Sequence, residues 1–119
     1  MFDTSVWIEH FRNGSELLVD LIESDLALIH PMVMAEIACG RLPAPRSRTL
    51  GSMGLLQPCN LAGLGEAMAF IERERLCGLG CGLVDISLLA STLITPGARL
   101  WMLGKRLAPL AERFGVAHR

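Results

Sequence analysis

Three carboxylates of this 119-residue sequence lie in segments where acidic side chains are uncommon. Asp3 follows the apolar pair Met1-Phe2, Glu36 lies within Pro-Met-Val-Met-Ala-Glu-Ile-Ala-Cys, and Asp85 lies within Gly-Leu-Val-Asp-Ile-Ser-Leu-Leu-Ala. Burying a carboxylate is costly unless it is paired or binds a metal ion. Carboxylate oxygens suit Mg²⁺ and Mn²⁺, and such an ion polarises a phosphodiester and lowers the pKa of an attacking water. The three acids together therefore indicate metal-dependent chemistry on a phosphodiester.

The remaining acids need no special function. They fall on the polar faces or in the first turns of predicted helices, or in a turn, where solvated carboxylates are the rule: Glu9, Glu16, Asp20, Glu23, Asp25, Glu66, Glu72, Glu74 and Glu112. An ordinary structural account also exists for the other three, with Asp3 and Asp85 as helix N-caps and Glu36 facing solvent at a helix edge. That account explains one acid alone better than all three, because each follows a strand or turn at the same expected edge of the sheet.

Strands and helices alternate around these acids. A short strand at 2–4 runs into a helix capped by Ser5, and a buried strand at 26–29 runs into a helix opened by Pro31 and ending at Gly40. The remaining elements are predicted as helices from Ser15, at 64–76, at 84–93 and from Pro109, strands at 98–103 and 116–117, and connections at 42–48 and 57–63. This order predicts an α/β fold, a mostly parallel central sheet with helices on both faces, in a single domain 1–119.

Composition excludes several classes of protein. No apolar run approaches the roughly 20 residues of a membrane-spanning helix, and the first residues lack the basic and apolar regions of a signal peptide, so we expect a cytoplasmic protein with no membrane partner. The net charge of −1 argues against an extensive nucleic-acid surface but not against a small metal-centred one. The four cysteines are expected to be reduced, packed thiols, and the spacing of Cys77 and Cys81 is wider than that of a C-x2-C zinc site.

The segments that carry the three acids also resemble a known family. Met-Phe-Asp-Thr-Ser-Val-Trp-Ile-Glu-His-Phe is similar to the opening of PIN domains, and Ala-Glu-Ile-Ala-Cys-Gly resembles their second motif. Gly-Leu-Val-Asp-Ile-Ser-Leu-Leu-Ala-Ser is similar to the third motif, and Arg-Leu-Trp-Met-Leu-Gly-Lys-Arg-Leu-Ala to the fourth. Each motif alone is weak, but all four occur in order over nearly the whole chain. The sequence therefore resembles the PIN-domain ribonuclease toxins of the VapC type.

The resemblance implies a function and a set of site residues. Asp3 and Asp85 would be the main metal ligands, Glu36 would complete the acidic cluster or position the water, and the hydroxyls of Thr4 and Ser5 would support the first acid. The implied fold is a PIN-like three-layer sandwich. Family members are typically Mg²⁺-dependent endoribonucleases, with Mn²⁺ as the alternative ion, that form dimers. They are silenced by a small antitoxin that inserts a peptide near the acidic pocket.

Two departures from the family pattern leave two hypotheses open. The strand before Asp3 is unusually short, and the family's fourth acid aligns with Gly104, while Met102 stands where Thr is common. The leading hypothesis is an endoribonuclease toxin acting at Asp3, Glu36 and Asp85. The alternative is a catalytically weakened PIN domain that binds antitoxin or RNA without cutting.

Other residues are weaker candidates. His10 and His30 are expected to serve packing or the surface, Ser91 and Thr92 to bond the backbone, and Arg46 and Arg48 to lie in a solvated loop. Contact with RNA phosphate is more plausible at Lys105 and Arg106, just after the strand that leads to Gly104. Two rival folds fit less well. A haloacid-dehalogenase-like phosphatase needs Asp-x-Asp, and position 5 is Ser; a phosphoacceptor receiver domain needs an acceptor Asp in mid-chain, where no acid occurs between Glu36 and Glu66.

Overall fold

A computed structural model describes residues 1–118 of the chain. Within them the helices are α1 (Thr4–Asn13), α2 (Glu16–Glu23), α3 (Pro31–Ala38), α4 (Arg46–Met53), α5 (Leu64–Glu74), α6 (Leu83–Leu93) and α7 (Ala108–Arg113). The regular strands are β1 (Leu28–Ile29) and β2 (Gln57–Pro58). None of the helices in this part of the chain is long and apolar enough to cross a membrane.

The strand pairing is parallel, as the sequence predicts, but the regular sheet is small. Leu28 pairs with Gln57 and Ile29 with Pro58 in β1 and β2. Elsewhere in residues 1–118 the parallel pairing is limited to single bridges, Phe2 with Trp101 and Leu100 with Ala117. The predicted strands at 2–4, 98–103 and 116–117 are therefore reduced to isolated bridges. Helices or turns begin directly beside them, and Pro58 cannot donate a ladder hydrogen bond in β2.

Most helices begin and end near the predicted residues. The Ser15 hydroxyl accepts a hydrogen bond from the Leu18 amide and caps α2 as expected, and Gly14, with φ of 76°, ends α1. The prediction that Ser5 is the N-cap of the first helix is wrong, because Asp3 occupies that position. Pro31 opens α3 as predicted, with His30 as its N-cap.

Two elements were missed in segments predicted as connections. The segment 42–48 was predicted as a loop or broken helix, yet α4 begins at Arg46. Its last proline, Pro45, stands at the N-cap and so precedes the helix without interrupting it. The connection at 57–63 contains β2, which has exposed residues and lacks an apolar sequence pattern.

A hydrophobic core fixes the start of the chain beside the segment at 100–103. The ring of Phe2 meets the rings of Trp7 and Trp101 edge-on, with centroids 5.7 and 5.6 Å apart. The Asp3 amide donates to the Trp101 carbonyl at 2.9 Å, and the Trp101 amide donates to the Met1 carbonyl at 2.9 Å. Leu100, fully buried, continues this contact into the core. The backbone of Asp3 is therefore held against the segment that leads to Gly104.

Candidate active site

Asp3 is half-buried at the N-terminal end of α1, where its carboxylate accepts a hydrogen bond from Ser5. Ser5 Oγ donates to Asp3 Oδ2 at 2.6 Å. The same hydroxyl oxygen accepts a hydrogen bond from the Leu103 amide at 3.2 Å. Ser5 therefore orients the first acid and also fixes the loop at 102–104 beside it.

Gly104 stands one residue beyond that hydrogen bond and has room for a side chain. A Cβ atom built on Gly104 would meet no atom within 4 Å, and its backbone is outside the left-handed region that favours glycine. The position that aligns with the family's fourth acid is thus adjacent to the segment bonded by Ser5. No steric reason in the described residues requires a glycine there.

Glu36 lies on α3 and is more exposed than its apolar sequence context suggests. Its side chain is nevertheless tied to the first acid's segment, because Thr4 Oγ1 donates to Glu36 Oε1 at 2.6 Å. Helices α1 and α3 pack against each other, which places Thr4 within reach. The exposure agrees with the ordinary structural account, in which Glu36 faces solvent at a helix edge, since the apolar residues of α3 face the core on its other side, with Val33 and Ile37 buried.

Asp85 is half-buried in the first turn of α6. Its Oδ2 accepts a hydrogen bond from the Gly82 amide at 3.3 Å, so it caps the helix that it belongs to. The account of Asp85 as a helix N-cap is therefore wrong by position, because Gly82 is the N-cap residue of α6 and Asp85 stands three residues further on and bonds the Gly82 amide. A carboxylate in the first turn also benefits from the positive end of the helix dipole.

Charged groups near Cys81, just before α6, affect the pKa of its thiol. Its thiol donates to the carbonyl of Arg106 at 3.4 Å. Burial raises the pKa of Cys81, the Asp85 carboxylate raises it further, and the Arg106 guanidinium opposes the rise. Asp85 and Arg106 thus act on the same thiol, which places a positive charge on the side of the protein where Asp85 lies.

The structure connects the first two acids more closely than the third. Asp3 and Glu36 are linked through the adjacent hydroxyls of Ser5 and Thr4, whereas the side chain of Asp85 bonds its own helix start and its helix α6 packs against α3. Across residues 1–118, no group of three or more acidic, cysteine or histidine side chains stands close enough to hold a metal ion. Residues 1–118 form two ion pairs, and both involve Glu74. Neither therefore pairs one of the three acids with a cation. Their oxygen donors suit a hard cation, and a shared ion would have to draw the side chains together.

The other candidates are mostly structural. His30 is buried, as expected of a packed histidine, and His10 accepts a hydrogen bond from the Ser15 amide at 3.1 Å. Thr92 Oγ1 donates to the Leu88 carbonyl at 2.7 Å, as expected of a backbone-bonded hydroxyl. Arg46, expected in a solvated loop, instead opens α4 and donates to the carbonyls of Gly40 and Ala38 at the end of α3.

The cysteines form no disulfide, and packing varies among them. All four thiols are free. Cys59 is buried, whereas Cys39 and Cys77 are exposed. The expectation of reduced thiols is confirmed, and the expectation that all of them are packed is wrong.

Comparison with known proteins gives a full-length match. The chain is 39% identical over 117 residues to "Ribonuclease VapC32" of Mycobacterium tuberculosis strain CDC 1551 / Oshkosh, an alignment that covers 98% of this chain and 94% of that protein. The protein of the same name from strain ATCC 25618 / H37Rv matches with the same identity and coverage. No family model and no solved structure matches the chain.

Proposed function

Because the chain belongs to the VapC family of ribonucleases, we propose that it is the toxin of a toxin–antitoxin pair and a metal-dependent endoribonuclease. The observation that carries the proposal is the identity of 39% over 98% of the chain with a ribonuclease. The hydrogen bonds that link the segments of Asp3 and Glu36 support the assignment of the acids to one site.

In this proposal Asp3, Glu36 and Asp85 hold a Mg²⁺ or Mn²⁺ ion. When bound, the ion would polarise the scissile phosphate and lower the pKa of the attacking water. The hydrogen bonds from Ser5 and Thr4 each engage one carboxylate oxygen of Asp3 and Glu36, which leaves the second oxygen of each for a ligand. Glu36, the most exposed of the three, is well placed to orient a water molecule.

Lys105 and Arg106 are proposed to contact RNA phosphate. Both are exposed, and the guanidinium of Arg106 is near enough to Cys81 to oppose the rise in the pKa of that thiol that burial and Asp85 cause. Cations beside an acidic site offset the repulsion between carboxylates and a polyanion. A chain with a net charge of −1 has few excess cations to contact RNA phosphate. Lys105 and Arg106 would supply such contacts beside the acidic site.

Fold, partners and location complete the proposal. A PIN-like three-layer sandwich in one domain, 1–119, agrees with the parallel pairing of β1 with β2 and of Phe2 with Trp101. Family membership supports a cognate antitoxin that closes the acidic pocket and an RNA substrate in the cytoplasm. A homodimer is proposed from family membership, and the exposed apolar side chains of Leu64 and Met68 on α5 are candidates for its interface.

One observation favours a second candidate function. Gly104 brings no carboxylate to a position beside the loop that Ser5 fixes near Asp3. With one fewer acid, the site would bind a cation more weakly. The second candidate is therefore a weakened PIN domain that binds antitoxin or RNA without cutting.

Cleavage of an end-labelled RNA by the purified protein tests the proposed activity. We expect cleavage with Mg²⁺, a rate at least about 100-fold lower in EDTA, and recovery when Mg²⁺ or Mn²⁺ is added back, because metal-ion stabilisation of the transition state amounts to several kcal/mol. Equal cleavage in EDTA would contradict a metal-dependent reaction. No cleavage by a protein that binds RNA would support the second candidate.

A further inference from the structure

A buried hydrogen-bond network joins the two helices that carry Glu36 and Asp85. His30, the N-cap residue of α3, is 3% exposed, and Ser91, in the second half of α6, is fully buried. His30 Nε2 lies 3.1 Å from Ser91 Oγ. The amide of Ala62, just before α5, donates to the same hydroxyl oxygen at 3.1 Å. Three segments distant in sequence therefore meet at one serine hydroxyl, and we call these contacts the His30–Ser91 network.

The contacts of His30 assign its tautomer. The Met32 amide donates to Nδ1 at 3.1 Å, so this nitrogen presents a lone pair. The proton of the neutral ring is therefore on Nε2, where it is donated to Ser91 Oγ. Burial lowers the pKa of His30 and favours this neutral form.

Only this form of the ring serves both helices at once. A second proton on Nδ1 would face the Met32 amide and remove the cap of α3. The opposite tautomer would lose the same cap, because its Nδ1–H would face the Met32 amide, even though the Ser91 hydroxyl could still donate to its Nε2. The neutral Nε2–H imidazole is thus a specific connection between α3 and α6.

The network lies close to both acids along their helices. Glu36 follows His30 by six residues, and Asp85 precedes Ser91 by six residues. At 1.5 Å per residue, each acid lies about 9 Å from the network along its helix axis. Because α3 also packs directly against α6, the His30–Ser91 bond restricts how these helices slide or rotate against each other.

We propose that His30 and Ser91 are positioning residues for the acidic site, which set the separation of Glu36 and Asp85 by joining α3 to α6. Both side chains are buried, so neither contacts RNA, and their effect passes through the two helices. The part that concerns the acids rests on the proposed function. The coupling of α3 to α6 does not, and can be measured in a protein without activity.

Nuclear magnetic resonance of the full chain tests the coupling directly. The imidazole ¹⁵N spectrum is expected to show His30 as the Nε2–H tautomer, still mostly neutral at pH 6.5, the ordinary pKa of histidine. In Ser91→Ala, backbone amide resonances at 31–38 of α3 should shift, although the substitution lies in α6. In the active protein the cleavage rate should fall about ten- to a hundredfold, since a displacement of about 1 Å at a catalytic group can cost about a hundredfold.

Two further variants separate positioning from general destabilisation. His30→Asn keeps an acceptor for the Met32 amide but is too short to reach Ser91, so it should reproduce the effects of Ser91→Ala. Combining the two substitutions should add little, because both break the same bond. Ser87→Ala is the matched control: Ser87 is a second buried serine of α6, closer to Asp85 in sequence than Ser91, and lies outside the network. Its removal should leave α3 and the cleavage rate unchanged.

Three outcomes would overturn the inference. They are an Nδ1–H tautomer of His30, resonance shifts in Ser91→Ala confined to α6, and unchanged cleavage by an active Ser91→Ala protein whose α3 resonances have shifted. If the wild-type chain neither cleaves RNA nor binds metal, the proposed function fails. The amide shifts then still decide whether the network couples the helices.

Discussion

Asp85→Asn is expected to lower RNA cleavage at least about 100-fold, because the substitution removes a charged ligand while keeping the size of the side chain. The folded structure should survive. The amide oxygen of Asn can still accept the Gly82 N–H that Asp85 Oδ2 accepts at 3.3 Å. The lost helix-dipole interaction amounts to about 0.3–1 kcal/mol, so the melting temperature should fall by only a few degrees.

Glu66→Gln is the matched control for Asp85→Asn. Glu66 occupies the same place in α5 as Asp85 does in α6, with its Oε1 accepting from the Gly63 amide at 3.1 Å. Both substitutions therefore disturb one helix cap equally, but only Asp85 belongs to the proposed site. Undiminished cleavage by Asp85→Asn, or an equal loss in Glu66→Gln, would contradict the assignment of Asp85 to catalysis.

Gly104→Asp is expected to raise Mg²⁺-dependent cleavage about tenfold or more. Substituting a residue beside a metal site typically changes metal affinity or activity by about ten- to a hundredfold, and tenfold is the lower end of that range. The new carboxylate would start from a backbone position next to Leu103, whose amide bonds the Ser5 hydroxyl that orients Asp3. Space is available, since a Cβ at position 104 meets no atom within 4 Å. A further oxygen ligand should also tighten metal binding.

Gly104→Asn separates charge from bulk in that experiment. Asn has the size of Asp but lacks its charge, so cleavage by Gly104→Asn should remain near that of the wild type. Stability in the absence of metal should fall more in Gly104→Asp than in Gly104→Asn, because the added charge repels Asp3. Unchanged cleavage in Gly104→Asp would show that position 104 is not part of the site.

Local sequence signals predict the helices of this protein better than its strands. Ser15, Pro31 and Gly14 act within one turn of the helix ends that they specify, so the sequence predicts those ends closely. Pairing of Phe2 with Trp101 depends on contacts 99 residues apart, and its extent depends on the turns around both residues. The missed helix α4 shows the same limit, because Pro45 can either precede a helix or interrupt one.

The candidate site is predicted in part by the same reasoning. Acids in apolar segments make Asp3, Glu36 and Asp85 the candidates, but the apolar neighbours of Glu36 face the core while its own side chain is exposed. Helical periodicity alone would have indicated that exposure. The bond between His30 and Ser91 has no sequence signal, since it joins residues 61 positions apart whose types are common in protein interiors.

Calorimetric titration of the metal-free chain with Mn²⁺ tests the central claim most directly, because it measures the ion site without requiring the right RNA. We predict one site per chain at micromolar to millimolar Mn²⁺, clearly weakened by Asp3→Asn and by Asp85→Asn and unaffected by Glu66→Gln. No binding at millimolar Mn²⁺, or binding that survives both aspartate substitutions, would contradict a metal site built from these acids.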